Sequence, residues 1–233
     1  MPAAASGLFT SGGSAANLIA IVAAREAQGH PERPSVYMSE QSHSSIERAC
    51  RIAGFRPRDL QKVACGPDYR LDLADLERRV AADRAAGRTP VLVAVNAGAT
   101  NTGIVDPLPE LAEWCRTQNL WLHVDGAYGG FAILSERGRA QLAGVGEADS
   151  VTLDPHKWLF QPYETGCLMV RDPADLQRAF RIMPEYLQDT DLGLEHVNFA
   201  DRGLQLTRSF RALKVWMAMQ LHGRRAHTEA ITR

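Results

Sequence analysis

Lysine is scarce in this chain. Of 26 basic side chains only Lys62, Lys157 and Lys214 are lysines, so any chemistry that needs a primary amine has very few candidates. Neither sign of charge is in excess: 26 basic residues stand against 27 acidic ones, for a formal net charge of -1. That balance argues against a nucleic-acid or anionic-membrane partner. No apolar run approaches the roughly 20 residues of a membrane span. The opening MPAAASGLFT has no basic stretch followed by an apolar one, so no secretory signal is expected and the expected location is the cytoplasm. The four cysteines, Cys50, Cys65, Cys115 and Cys167, form no CxxC pair. Zinc ribbons and redox motifs are therefore not expected, and free thiols are.

What is present is an ordinary globular composition over 233 residues, 45% hydrophobic and 23% charged, enough for one large domain or two small ones. Helix-like and strand-like segments alternate. Residues 17–28 form a strong helix pattern with Ser14 at its N-cap or first turn; 43–53, 73–86, 107–118, 174–180 and 209–222 also read as helices. Short apolar runs at 35–39, 90–96, 120–125, 150–153 and 166–170 read as strands, while 183–203 is polar and irregular. No clear strand precedes the glycine turn at Gly12–Gly13. The alternation predicts an α/β fold with a mostly parallel sheet flanked by helices. In such sheets ligands collect beyond the carboxyl ends of the strands.

Chemistry-bearing residues cluster at those ends. In Asp154-Pro155-His156-Lys157-Trp158 a lysine follows an apolar strand; desolvation there would make it a usable amine nucleophile, although a solvated surface turn fits the same residues. Asp125 ends the LWLHVD run and is followed by small Gly126 and Ala127, so it can pair with a ring N–H, cap the next turn, or bind metal, though no second carboxylate sits at ligand spacing. Gly12, Gly13 and Ser14 open a helix, where free N–H groups suit a phosphate or simply a cap. His43 starts another helix, either in solvent or stacked on an aromatic ligand. Thr100 lies in a small-residue turn after the 90–96 strand and can hydrogen-bond a ligand or merely close the turn.

Taken in order, FTSGGSAAN, SEQSHSSIERA, NAGATNTGIVD, LWLHVDGAYGG, ADSVTLDPHKWL and SFRALKVW resemble the group II pyridoxal-phosphate-dependent decarboxylases. These include the aromatic-L-amino-acid, glutamate and 2,4-diaminobutyrate decarboxylases, and the resemblance runs from about residue 9 to 222. It implies the large domain of fold type I, the aspartate-aminotransferase-like fold, with pyridoxal 5'-phosphate as cofactor. It implies Lys157 as the Schiff-base lysine, His156 as a cofactor contact, Asp125 opposite the pyridine nitrogen, Ala127 beneath the ring and His43 stacked on its other face. Gly13 and Ser14 match the phosphate turn, Thr100 a threonine near the 3-oxygen, and Tyr186 a loop tyrosine that returns a proton to the α-carbon.

The same resemblance implies α-decarboxylation of an L-amino acid, aromatic or otherwise hydrophobic by the wording of the motifs, in a homodimer. Gly126 departs from the alanine common at its position. Family members are longer, so residues 1–233 are read as an incomplete large domain without the family's N-terminal segment and small C-terminal domain. Transamination or oxidative deamination on the same scaffold, and a non-catalytic cofactor-binding fragment, are the alternatives.

Overall fold

The computed structural model describes residues 1–182 and 197–233. Its frame is a seven-stranded sheet. The strands are β1 (Ser6–Thr10), β2 (Pro34–Ser39), β3 (Leu60–Val63), β4 (Thr89–Asn96), β5 (Trp121–Gly126), β6 (Ser150–Leu153) and β7 (Gly166–Val170). They lie in the order β1-β7-β6-β5-β4-β2-β3. The run from β3 to β6 is parallel, and β7 and β1 close one side antiparallel. The mostly parallel α/β architecture is as the sequence predicts.

Helices cover both faces. The α1 (Gly13–Ala27), α2 (Ser44–Ile52) and α6 (Pro173–Phe180) helices share one buried cluster with Val36, Met38, Leu92, Ala94 and Trp121. On the other face α3 (Leu73–Ala85) and α4 (Leu108–Gln118) pack on Tyr37, Val93, Val95, Leu122 and Val124. Alternate residues of one strand thus serve opposite cores, which is why β4 reads as a continuous apolar run rather than an alternating one. On β5 the alternation has a chemical consequence. Trp121, His123 and Asp125 share a face by their spacing of two, and α1 covers that face.

Local signals explain the boundaries. Asp72 caps α3 by accepting from the Ala74 and Asp75 N–H groups, and Asp172 caps α6 by accepting from Ala174 N–H. Asn119 ends α4 in the left-handed conformation.

Five elements differ from the sequence reading. A strand does precede the glycine turn: β1 is short, contains Gly7 and earns its place by pairing with β7, a partner more than 150 residues away that no local pattern reveals. β3 is a four-residue edge strand whose LQKV is too polar to register. α1 begins at Gly13, because packing against the sheet overrides the poor helix propensity of Gly-Ser. α7 (Arg211–Thr232) continues beyond 222 through a break at Gly223, whose φ of 72° only glycine adopts freely. The α5 helix (Glu136–Gln141), capped by Ser135, was not anticipated either. Of the polar 183–203 stretch, residues 183–196 lie outside the described residues, and Phe199–Arg202 forms a 3₁₀ turn.

Among the described residues no helix is long and apolar enough to cross a membrane. Burial pushes the Cys50 and Cys115 thiols up to about 12, so neither supplies a thiolate near neutral pH.

Core and surface leucines separate cleanly. Leu122 is 1% exposed between sheet and α4, whereas Leu221 on α7 is 78% exposed. Leu122→Ala is expected to cost ~2–5 kcal/mol in urea unfolding. Leu221→Ala is expected to stay within ~0.5 kcal/mol.

Candidate active site

A cavity of about 360 Å³ opens beyond the carboxyl ends of the parallel strands. That size falls in the range of small-molecule clefts. Its wall includes Gly13, Ser14, His43 and Thr100, and also Asp125, Ala127, His156 and Lys157. Every sequence-predicted site residue except Tyr186 therefore meets in one place. Tyr186 lies outside the described residues.

Each group arrives by a different element. The first turn of α1 faces the cavity with no side-chain cap and no acidic residue. Its leading N–H groups have no partner within the helix, so the turn is suited to an anion. A Cβ at Gly13 would come within 3.0 Å of both Ala127 Cβ and Asp154 Oδ2, so glycine is what lets the turn sit this close. Ser14, expected at the N-cap or first turn, is in the first turn; Gly12 is the N-cap. His43 is the N-cap of α2. Its Nδ1 accepts from Ser45 N–H at 3.2 Å and lies 2.9 Å from Ser45 Oγ. Thr100 is exposed at the tip of the loop after β4. That loop is braced from behind: buried Asp106 accepts from Asn96 N–H at 2.7 Å and Asn96 Nδ2 at 3.0 Å.

Asp125 is the buried anion of the floor. One carboxylate oxygen accepts from Asn17 Nδ2 at 2.9 Å and the other from Ala127 N–H at 3.1 Å. Each oxygen can accept more than one hydrogen bond, so both retain capacity for a ligand. Behind it Asn17 Nδ2 reaches Ser45 Oγ at 3.0 Å, and Asn17 Oδ1 lies 3.0 Å from His123 Nε2. His123 Nδ1 lies 2.8 Å from Ser150 Oγ, to which Trp121 Nε1 donates at 2.8 Å. Burial pushes the His123 imidazole down to about 4, against the opposing pull of Asp125.

Lys157 differs from the expectation of a desolvated amine. Its side chain is 36% exposed and its ammonium pairs with Asp154 Oδ2 at 3.0 Å. Burial raises Asp154 above the usual carboxylate range despite this partner, and among the described residues its buried Oδ1 has none. His156 Nδ1 accepts from Thr165 N–H at 3.0 Å, which leaves the Nε2 side 3.5 Å from Asp154 Oδ2. The Tyr163 ring tilts against His156 with centroids 4.7 Å apart.

Sequence reading passed over Asn17, Ser45, His123 and Asp154 as site residues. The available signal was an asparagine on an otherwise apolar helix face, and two polar residues spaced by two on a strand that is apolar elsewhere. Neither says which partner each side chain finds.

Comparison with known proteins adds the following. Residues 1–233 match the pyridoxal-dependent decarboxylase conserved domain. The chain is 46% identical over 233 residues to an aromatic-L-amino-acid decarboxylase of Bacillus atrophaeus, covering 99% of this chain and 48% of that protein. It is 39% identical over 227 residues to an L-2,4-diaminobutyrate decarboxylase of Rhizobium meliloti, covering 96% and 46%. Among solved structures, Oryza sativa TDC with PLP and tryptamine superposes with a TM-score of 0.91 at 35% identity, over 97% of this chain and 49% of that one. Rhodiola rosea 4-hydroxyphenylacetaldehyde synthase superposes with a TM-score of 0.89 at 29% identity, over 98% and 48%. The chain spans about half the length of the curated relatives it matches.

The buried imidazole makes a pH prediction. His123 is depressed from 6.5 to about 4, so between those values the unfolded chain holds the extra proton. Stability present above pH 6.5 is lost as pH falls toward about 4, by up to ~1.4 kcal/mol per pH unit. Urea unfolding of the wild type and His123→Gln at pH 7 and pH 5 is expected to show a larger loss in the wild type. Equal losses would remove His123 as the cause.

Proposed function

The chain belongs to the pyridoxal-dependent decarboxylase family, and from that membership we propose that it binds pyridoxal 5'-phosphate and serves α-decarboxylation of an L-amino acid. The observation that carries this reading is the convergence on one cavity of the Lys157 amine, the buried Asp125 carboxylate and the uncapped start of α1. Those groups match the cofactor's own: an aldehyde, a pyridine nitrogen and a phosphate. The donor set fits without a residue having to leave.

When bound, the cofactor supplies an aldehyde for amines and a ring that accepts the electron pair left when carbon dioxide departs. The rest is the protein's work. Lys157 would hold the aldehyde through its amine and yield it to the substrate amine. In the free chain the Asp154 carboxylate keeps that amine in place. Asp125, held in place by the Asn17 and Ala127 donors, would face the pyridine nitrogen and keep that nitrogen protonated. Ala127 is small enough for a flat ring to lie against it. Gly13 and Ser14 would present backbone N–H groups and a hydroxyl to the phosphate. His43 would close the other ring face, His156 would contact the cofactor beside Lys157, and Thr100 would reach the 3-oxygen. Tyr186, helped by His43, would return a proton to the α-carbon. Aromatic or other hydrophobic L-amino acids are the favoured substrates, supported by the similarity to the aromatic-L-amino-acid decarboxylase.

The same proposal reads residues 1–233 as the family's cofactor-binding large domain, acting in a homodimer. Cytoplasmic residence rests on the sequence alone. A second reading, carbonyl-forming deamination, draws support from the similarity to 4-hydroxyphenylacetaldehyde synthase. A cofactor-binding chain without turnover is the third.

Absorbance and product analysis separate these readings. Added pyridoxal phosphate is expected to give a yellow, visible-absorbing species that Lys157→Ala abolishes while the fold is kept by circular dichroism. Asp125→Asn is expected to retain colour and lose ~10²-fold in rate, about 2.7 kcal/mol of barrier. Tyr186→Phe is expected to lower amine formation by ~10²–10⁴-fold. Carbon dioxide without ammonia supports decarboxylation; aldehyde with ammonia supports the second reading. Folded protein that never colours sinks the proposal.

A further inference from the structure

The polar groups beneath the cavity admit only one arrangement of protons. Asp125 accepts only, so Asn17 must turn Nδ2 toward it, and the 2.9 Å contact fixes the amide's orientation. Asn17 Oδ1 then faces His123 Nε2 at 3.0 Å and can only accept. Nε2 therefore carries the proton of this fully buried, neutral ring. His123 Nδ1 is bare and accepts a hydrogen bond from the Ser150 hydroxyl at 2.8 Å, while Ser150 Oγ accepts from Trp121, an obligate donor.

A second arm leaves the same asparagine. The other Nδ2 hydrogen goes to Ser45 Oγ at 3.0 Å, which frees the Ser45 hydroxyl proton for His43 Nδ1 at 2.9 Å. The Ser45 backbone N–H also points at Nδ1, but at the longer 3.2 Å, so the hydroxyl makes the shorter contact that fixes the tautomer. His43 thus keeps its ring proton on Nε2. Trp121, His123, Ser150, Asn17 and Ser45 are all buried, so water does not offer an alternative partner.

We infer that Asn17 is the hub of a one-direction hydrogen-bond relay, Trp121–Ser150–His123–Asn17, which divides to orient two cavity groups at once: Asp125 directly and His43 through Ser45. Asn17, His123, Ser150, Trp121 and Ser45 are positioning residues. Truncating the relay lets Asp125 lose a donor and lets His43 exchange its ring proton between nitrogens. The relay belongs to the free chain; only its use in holding pyridoxal phosphate rests on the proposed function.

The test is long-range ¹H–¹⁵N spectroscopy of the full chain labelled in histidine, at pH 8 without cofactor. In the wild type His123 and His43 should both carry the proton on Nε2; a His123 with Nδ1–H overturns the relay without any variant. Asn17→Leu removes the acceptor, and His123 should switch to Nδ1–H, donating to Ser150. His43, which does not touch residue 17, should gain Nδ1–H population in the same variant. Ser45→Ala, a smaller change if Asn17→Leu fails to fold, should alter His43 and leave His123 as it was. An unchanged His43 in Ser45→Ala overturns the second arm. The dissociation constant for pyridoxal phosphate should rise about tenfold or more in Asn17→Leu, and an unchanged value overturns the positioning role. If the wild type binds no pyridoxal phosphate, the proposed function fails while the spectra still decide the relay.

Discussion

A carboxylate held at the end of a buried strand is the constraint around which this structure is arranged. Asp125 closes β5 at the floor of the cavity, 8% exposed and hydrogen-bonded on each oxygen. An uncompensated anion there would cost several kcal/mol. The compensation comes from α1, which must therefore cross the sheet so that Asn17 meets Asp125 across 108 positions of sequence. Once α1 is so placed, its start reaches the same cavity. The uncapped helix start and the buried carboxylate are thus two ends of one helix placement.

The sheet order does the rest. β4, β5 and β6 are consecutive parallel neighbours, so their carboxyl ends present Asn96, Asp125 and the 154–157 turn side by side. β2 lies on the far side of β4 and delivers His43 at the head of α2. Five loops from distant parts of the chain share one cleft, as parallel sheets arrange their ligands. The antiparallel β1–β7 pair holds the glycine turn against the opposite side. A mixed sheet with that edge gives α1 a rigid point of departure.

Lys157 shows how a residue's type and its state separate. Scarcity of lysine made it conspicuous, and its position beyond β6 is as the alternation of strands and helices implies. Its environment is another matter: an ion pair with Asp154 at a half-open mouth, not a dry pocket. Asp154 is buried, and among the described residues its Oδ1 has no hydrogen-bond partner. The site is thus supplied with an ion pair on one wall and a carboxylate on the floor, with the His43 and His156 rings lining the same cavity.

Much of this was legible in one dimension. Apolar periodicity marks the central strands and the long helices because burial on one or both faces imposes it residue by residue. Asp125, His43, His156 and Lys157 are visible because each sits just beyond such a run, and the glycine turn because it opens a strong helix pattern. The edge strands β1 and β3 were not legible, since their stability comes from pairing rather than from their own composition. Nor were the partners: that Asn17 would face both Asp125 and His123, that Ser45 would join it to His43, and that Lys157 would pair with Asp154. Residue types and their order are local properties of the chain. Which donor meets which acceptor is set by how helices cross the sheet, and only the packed tertiary structure decides that.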